Sequence, residues 1–168
     1  MQPTSLLADL TSFVPGRVLD DNAHILLRYA CGARGMLWAS QVAAGQENAL
    51  RLRVYGETGS LEWFQENPNQ LIHRPLGEPM RTLTRGGAGL SSDVAVGAIT
   101  RIPAGHPEGF IEGFATLYSD FADLIEATAV TGGVSATASN QARLLPTVAD
   151  GLKGVRFVGA AVESMAGG

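Results

Sequence analysis

Ala49-Leu-Arg-Leu-Arg-Val-Tyr55-Gly-Glu-Thr-Gly59-Ser-Leu-Glu-Trp-Phe-Gln65 carries the clearest strand pattern in the chain. Leu50, Leu52 and Val54 alternate with Arg51, Arg53 and Tyr55, the two-residue period of a strand with unlike faces. Gly56-Glu-Thr-Gly59 is a tight turn, and Ser60 to Gln65 returns with Leu61 and Trp63 on one face and Glu62 and Phe64 on the other. Two such runs joined by a short glycine-bearing link form an antiparallel hairpin. Glu62 comes within reach of Arg51 or Arg53 across that pair, a contribution of roughly 0.2–1 kcal/mol.

The same pattern continues on both sides. Upstream, His24 to Ala30 and Met36 to Val42 read as strands around the turn Cys31-Gly-Ala-Arg-Gly35. Downstream, Gln70 to Arg74 and Met80 to Thr84 are shorter strands, with Pro75 marking an edge or the end of pairing. Some six strands therefore precede any strong helix. That order predicts an α+β domain: a mainly antiparallel open sheet of about six or more strands, with helices packed on one face. Met1 to Gly16 is weakly patterned, and Leu6, Leu7 and Leu10 suggest a short helical turn ended by Pro15-Gly16. Tyr29, Trp38, Tyr55 and Phe64 are assigned to the face away from the helices, where apolar residues imply a partner. A register change of one residue would turn them inward.

The strongest helical period follows Pro107, which suits a first helical position. Phe110, Phe114, Leu117, Phe121 and Leu124 recur at three- and four-residue steps, widened by Ile111, Tyr118 and Ile125, and this stripe requires a buried surface to face. A shorter helix is predicted over Ser92 to Ala98, and Thr128 to Asn140 reads as a connection. A last helix opens at Pro146 with Val148, Leu152, Val155, Val158 and Val162 as its apolar face. Gly151, Gly154 and Gly159 weaken it by roughly 1 kcal/mol each relative to Ala, which points to close approach of a neighbouring backbone.

The 168 residues suit one domain spanning 1–168, and the net charge of −4, with 17% charged residues, provides no basic stripe for nucleic acid. One cysteine, Cys31, excludes an internal disulfide and reads as a core or strand-end residue. No apolar run has membrane length and no signal-peptide pattern is seen, so a soluble cytoplasmic protein without a membrane partner is expected.

Chemistry is sparse. Gly87-Ala-Gly89-Leu-Ser-Ser92 falls short of a dinucleotide fingerprint, because Ser92 replaces the third glycine and no βαβ unit surrounds it. His24, His73 and His106 are too widely spaced for a local metal pair, and no catalytic or metal-ligating set emerges. Two polar segments remain. In Gly105-His-Pro-Glu-Gly109, His106 lies beside Glu108 at a loop-to-helix junction, where it suits a substrate hydroxyl or a proton relay, or simply caps the helix. In the other, Gln46, Glu47 and Asn48 suit polyol hydroxyls and ordinary turns equally.

An ordered set of motifs carries a resemblance. Asp20-Asp-Asn-Ala23, Ser40-Gln-Val-Ala-Ala-Gly-Gln-Glu-Asn48, Tyr55-Gly-Glu-Thr-Gly-Ser-Leu-Glu-Trp63, Gln65-Glu-Asn-Pro-Asn69, Gly105-His-Pro-Glu-Gly109 and Leu145-Pro-Thr-Val-Ala-Asp-Gly151 follow one another in the chain. Over Val18 to Met165 it resembles the C-terminal domain of the glucose-fructose oxidoreductase/inositol dehydrogenase/MocA family. The resemblance implies an NAD(P)-dependent oxidoreductase acting on a sugar, cyclitol or related polyol. It also implies a Rossmann domain preceding this region, and a sheet surface used for a homodimer or tetramer. The family's cofactor loop, its Glu-Lys-Pro lysine and its Asp-x-x-x-His pair have no counterpart here, so the chain is expected to be an excised domain, inactive alone and without its own cofactor. Gln46, Glu47, Asn48, His106 and Glu108 match segments bordering the family's substrate pocket and are the substrate-binding candidates. The alternatives are a non-catalytic, sheet-mediated dimerisation module and a free-standing binding protein for a small polyol.

Overall fold

The computed structural model describes residues 2–88, 94–131 and 145–167. In chain order the elements are β1 (Pro3–Thr11), β2 (Asn22–Tyr29), β3 (Arg34–Ser40), β4 (Arg51–Tyr55), β5 (Gly59–Phe64), β6 (Gln70–Pro75), β7 (Arg81–Thr84), α1 (Val94–Ile99), α2 (Phe110–Thr131) and α3 (Val148–Ala166). The strands form two antiparallel sheets, ordered β1-β2-β3 and β4-β5-β6-β7, so the expected α+β class with antiparallel pairing holds. They belong to two compact units: Met1–Gln46 with Pro146–Gly168, and Glu47–Leu145.

In the first unit, Ala8, Ile25 and Ala161 form the buried core, with Leu6, Leu10, Leu27 and Phe157 packed around them. The expected helical turn at Leu6–Leu10 is instead β1, paired with β2 from Pro3 to Thr11. Leu6 and Leu10 flank Ala8 on the inner face, while Leu7 points outward and is exposed. Helix α3 covers the inner face through Phe157 and Ala161, and the Ser164 hydroxyl accepts the Ala8 N–H at 3.1 Å. The predicted valine face is thus not the packed one: Val148, Leu152, Val155, Val158 and Val162 are exposed. The small Ala161 lets the helix approach β1 where a valine would hold it off. Gly151, Gly154 and Gly159 meet no neighbour within 4 Å of a notional Cβ, so the close approach expected there does not occur among the described residues.

Helix α3 starts at Val148, two residues after Pro146. Thr147 is its N-cap in a full capping box, each partner's side chain taking the other's backbone N–H. On the opposite face of this sheet, register aligns Leu7, Leu26 and Met36 in one row and Asp9, His24 and Trp38 in the next. Leu7, Leu26, Met36 and Trp38 are 57–74% exposed. His24 stacks on Trp38, and Trp38 Nε1 donates to Asn22 Oδ1 at 2.9 Å. Trp38 therefore lies where it was expected. Tyr29 does not: it packs over Gly35 beside Leu27 on the inner face, one residue out of the predicted register.

The second unit is built on a meander. Gly59 closes its first hairpin because only glycine fits: a Cβ there would lie 2.5 Å from the Arg74 carbonyl oxygen. Glu62 is buried on the face it shares with Arg51, Arg53, Phe64 and Arg74. It pairs diagonally with Arg51 (Nε–Oε1 2.5 Å) and Arg74 (Nη1–Oε2 2.8 Å), not with Arg53 directly opposite. Arg51 also lies 4.2 Å over the Phe64 ring. The hydrogen bond from Arg74, with that from Arg51, holds the Glu62 carboxyl below its ordinary range against the opposing effect of burial.

Candidate functional site

His106 and Glu108, in the second unit, sit on a strap, residues 101–109, fastened at the start of β6 and the end of β7. Pro103 to His106 is a turn in which the His106 N–H donates to the Pro103 carbonyl at 3.2 Å. Gly105 occupies its third position with φ 87°, the left-handed conformation that a type II turn requires there. His106 is exposed, with its ring Nδ1 3.3 Å from the Pro103 carbonyl oxygen.

Two residues that are not among the site candidates of the sequence hold this strap. Arg85, just after β7, donates from Nη2 to the His106 carbonyl at 2.6 Å and from Nη1 to the Ile102 carbonyl at 3.0 Å. Its Nε donates to Asn69 Oδ1 at 2.8 Å. Asn69, just before β6, grips the Glu108 backbone at both polar atoms: Oδ1 accepts the Glu108 N–H at 3.0 Å, and Nδ2 donates to the Glu108 carbonyl at 2.8 Å. The Glu108 side chain is 4% exposed. Its Oε1 accepts the Arg101 N–H at 2.7 Å. Its Oε2 forms an ion pair with Arg85 Nη1, whose N–H is directed at Ile102, and receives no aligned hydrogen bond.

Glu108 is therefore turned into the strap, and its carboxylate is occupied in holding it closed. Because its N–H and C=O are bonded to Asn69, Glu108 is not helical. The expected start at Pro107 is overturned, and α2 begins at Phe110. Gly109 is the residue before the helix, and its N–H donates to Glu112 Oε2 at 2.9 Å, half of a capping box. That bond is the main cause holding the Glu112 carboxyl below its ordinary range. Arg101 Nε also donates to Thr116 Oγ1 at 3.1 Å, tying the strap to the first turns of α2. The helix turns this polar side toward the strap, while Phe110, Ile111, Phe114, Leu117, Tyr118, Phe121 and Ile125 remain 42–78% exposed.

The other polar segment divides between the units, Gln46 belonging to the first and Glu47 and Asn48 to the second. In the first, Gln46 ends a turn, its N–H donating to Ala43 O at 3.1 Å, after Gly45 with φ 85°. Gln46 thus follows a left-handed glycine as the fourth turn residue, as His106 does. In the second, Glu47 and Asn48 are exposed, and Asn48 Nδ2 hydrogen-bonds Gln65 Oε1. Ala49 follows with φ 51°, a strained conformation for a residue with a Cβ, and its N–H is tied to Glu66 Oε1 at 2.8 Å. All three residues are exposed.

The described part of the glycine run, Gly86 to Ala88, closes on itself. Gly87 N–H donates to the Thr84 carbonyl at 2.9 Å, and a Cβ at Gly87 would meet Thr84 Oγ1 at 2.6 Å. Those backbone groups close a turn after an antiparallel strand, so the described part of the run does not fit a dinucleotide phosphate; residues 89–93 lie outside the described residues. Among the described residues no group of three His, Cys, Asp or Glu side chains is placed to hold a metal ion. No helix among them is long and apolar enough to cross a membrane.

Comparison with known proteins agrees with this architecture. The GFO/IDH/MocA C-terminal domain model matches residues 1–62. YfiI, an uncharacterized oxidoreductase of Bacillus subtilis, is 41% identical over 128 residues, which is 76% of this chain and 32% of that protein. The crystal structure of an oxidoreductase from Sinorhizobium meliloti is 48% identical with a TM-score of 0.86, covering 98% of this chain and 44% of that one. An inositol dehydrogenase homolog from Azotobacter vinelandii, solved with NADH and myo-inositol, is 37% identical with a TM-score of 0.89, covering 99% of this chain and 43% of its own. The chain spans about a third of the length of the curated relative and under half of these solved chains. Sharing these oxidoreductases' fold over almost all of its residues, the chain carries the signature of the GFO/IDH/MocA C-terminal domain over residues 1–62.

Proposed function

We propose that this chain is the substrate-side and assembly domain of an NAD(P)-dependent oxidoreductase acting on a sugar, cyclitol or related polyol. The observation that carries the reading is the likeness, at 37% identity over 99% of the chain, to an inositol dehydrogenase homolog solved with NADH and myo-inositol. In the parent enzyme the nicotinamide supplies the hydride chemistry, and it is bound by a Rossmann domain outside these residues. This chain acts as one domain of that enzyme, contributing polar groups to the polyol site. Gln46, Glu47, Asn48 and His106 are the residues proposed to meet hydroxyls, and Glu108 contributes by holding His106 in place.

Two exposed apolar surfaces support the assembly role: the Leu7–Leu26–Met36 row with Trp38, and the bare stripe of α2. Surfaces of this kind on a folded domain are sites of association. The test is steady-state kinetics of the parent enzyme with His106→Ala or Gln46→Ala. The KM for the polyol should rise at least about tenfold, a loss of some 1.4 kcal/mol of binding, with the KM for the dinucleotide unchanged. Unchanged polyol KM in both variants would remove these residues from the site.

A further inference from the structure

The strap does more than place His106 at the surface. The residues on either side of its tip are held at the backbone by side chains from outside the strap: His106 O and Ile102 O by the Arg85 fork, and Glu108 N–H and C=O by the Asn69 amide. Among the described residues the imidazole has one hydrogen-bond partner, the Pro103 carbonyl oxygen, 3.3 Å from Nδ1. A carbonyl oxygen only accepts, so a ring nitrogen bonded to it must carry the proton. In the neutral ring that leaves the lone pair on Nε2.

We infer that Arg85 and Asn69 are positioning residues that fix His106 as its Nδ1–H tautomer, so that Nε2 accepts a hydrogen bond from a ligand hydroxyl. This rests on the proposed role of His106 toward a polyol and specifies it: the ligand must present an O–H donor at this point, as an alcohol does and a ketone or ether does not. The sequence gives the imidazole no reason to prefer this tautomer. The preference comes from the turn, and the turn is held by two side chains some twenty and forty residues away. The geometry also separates the two anchors. Asn69 fixes the backbone after Pro107, and Arg85 fixes the backbone before it while neutralising the buried Glu108 carboxylate.

Long-range 1H–15N NMR of the 168-residue chain, with the imidazole neutral, tests this directly. The wild type should show His106 protonated at Nδ1. Asn69→Ala and Arg85→Gln should move the ring toward the Nε2–H form and speed amide exchange at Arg101 and Glu108 by roughly tenfold or more, with β4 and β5 amides unchanged. Arg85→Lys, which keeps the charge and loses the fork, should fall between wild type and Arg85→Gln. An Nε2–H tautomer in the wild type overturns the inference, as does a tautomer indifferent to both variants. Loss of the β4–β5 signals in both variants also overturns it, because an anchor confined to the strap leaves that hairpin intact. Added myo-inositol should then shift Nε2 in preference to Nδ1. A ring that ignores myo-inositol, with the tautomer results intact, would overturn the ligand role of His106 and leave the positioning result standing.

Discussion

Asp21 shows how a single carboxylate organises a loop. Its side chain is 1% exposed, and it accepts the Phe13 N–H at 2.9 Å and the Val14 N–H at 3.1 Å, with Arg17 Nη1 at 3.3 Å. The Phe13 N–H, with further help from Val14 and Arg17, holds the Asp21 carboxyl below its ordinary range against desolvation. A carboxyl lowered in the folded state stabilises fully above the unfolded-state value of about 4 and loses that contribution as pH falls through the lower folded value. Asp21→Asn should therefore lower the melting temperature by several degrees at neutral pH. In melts taken at successively lower pH the two proteins should converge, since a protonated Asp21 resembles the amide. A constant gap down to the most acid pH would contradict this. At the same scale the polar candidates were readable as types and positions: His106 and Gln46 each follow a glycine, and both glycines are left-handed. Asn69 and Arg85 were not readable. Glu108 in Gly-His-Pro-Glu-Gly gives no sign of being buried, and nothing in linear order selects Arg85 from twelve basic residues as its partner.

Elements were legible where their apolar residues keep one period and illegible where two periods overlap. In β4 the leucines and valine alternate cleanly with arginine, and the strand is where it was expected. In β1, Leu6, Leu7 and Leu10 fit helical spacing, but Leu7 faces out and Ala8, too small to signal a core position, is the buried residue. Helix α3 repeats the lesson: its large valines are bare, and it packs through Phe157 and Ala161. Its start was misplaced because Pro146 suits a first turn, while the stronger signal is Thr147 paired with Asp150. Thr147→Ala removes the cap that accepts the Asp150 N–H and should cost about 1 kcal/mol. Chemical denaturation should show a lower midpoint with an unchanged slope. An unchanged midpoint would mean that the cap contributes nothing.

Across the molecule, the described residues bury little and expose much. Ala8, Ile25 and Ala161 are the buried hydrophobic residues among them, while the α2 stripe and the outer row of the first sheet remain bare. That balance fits a chain spanning under half of its solved relatives. If the outer sheet face is an assembly surface, light scattering of the wild type should give a dimer or tetramer, and Leu26→Lys with Met36→Lys should give a monomer of unchanged secondary structure. A wild-type monomer at high concentration would remove the assembly role. The proposed division of labour has these residues shape a substrate site and an interface while the nicotinamide is held elsewhere. Its most direct test is a calorimetric titration of the 168-residue chain with NADH. No saturable binding is expected, and a micromolar Kd would contradict that division.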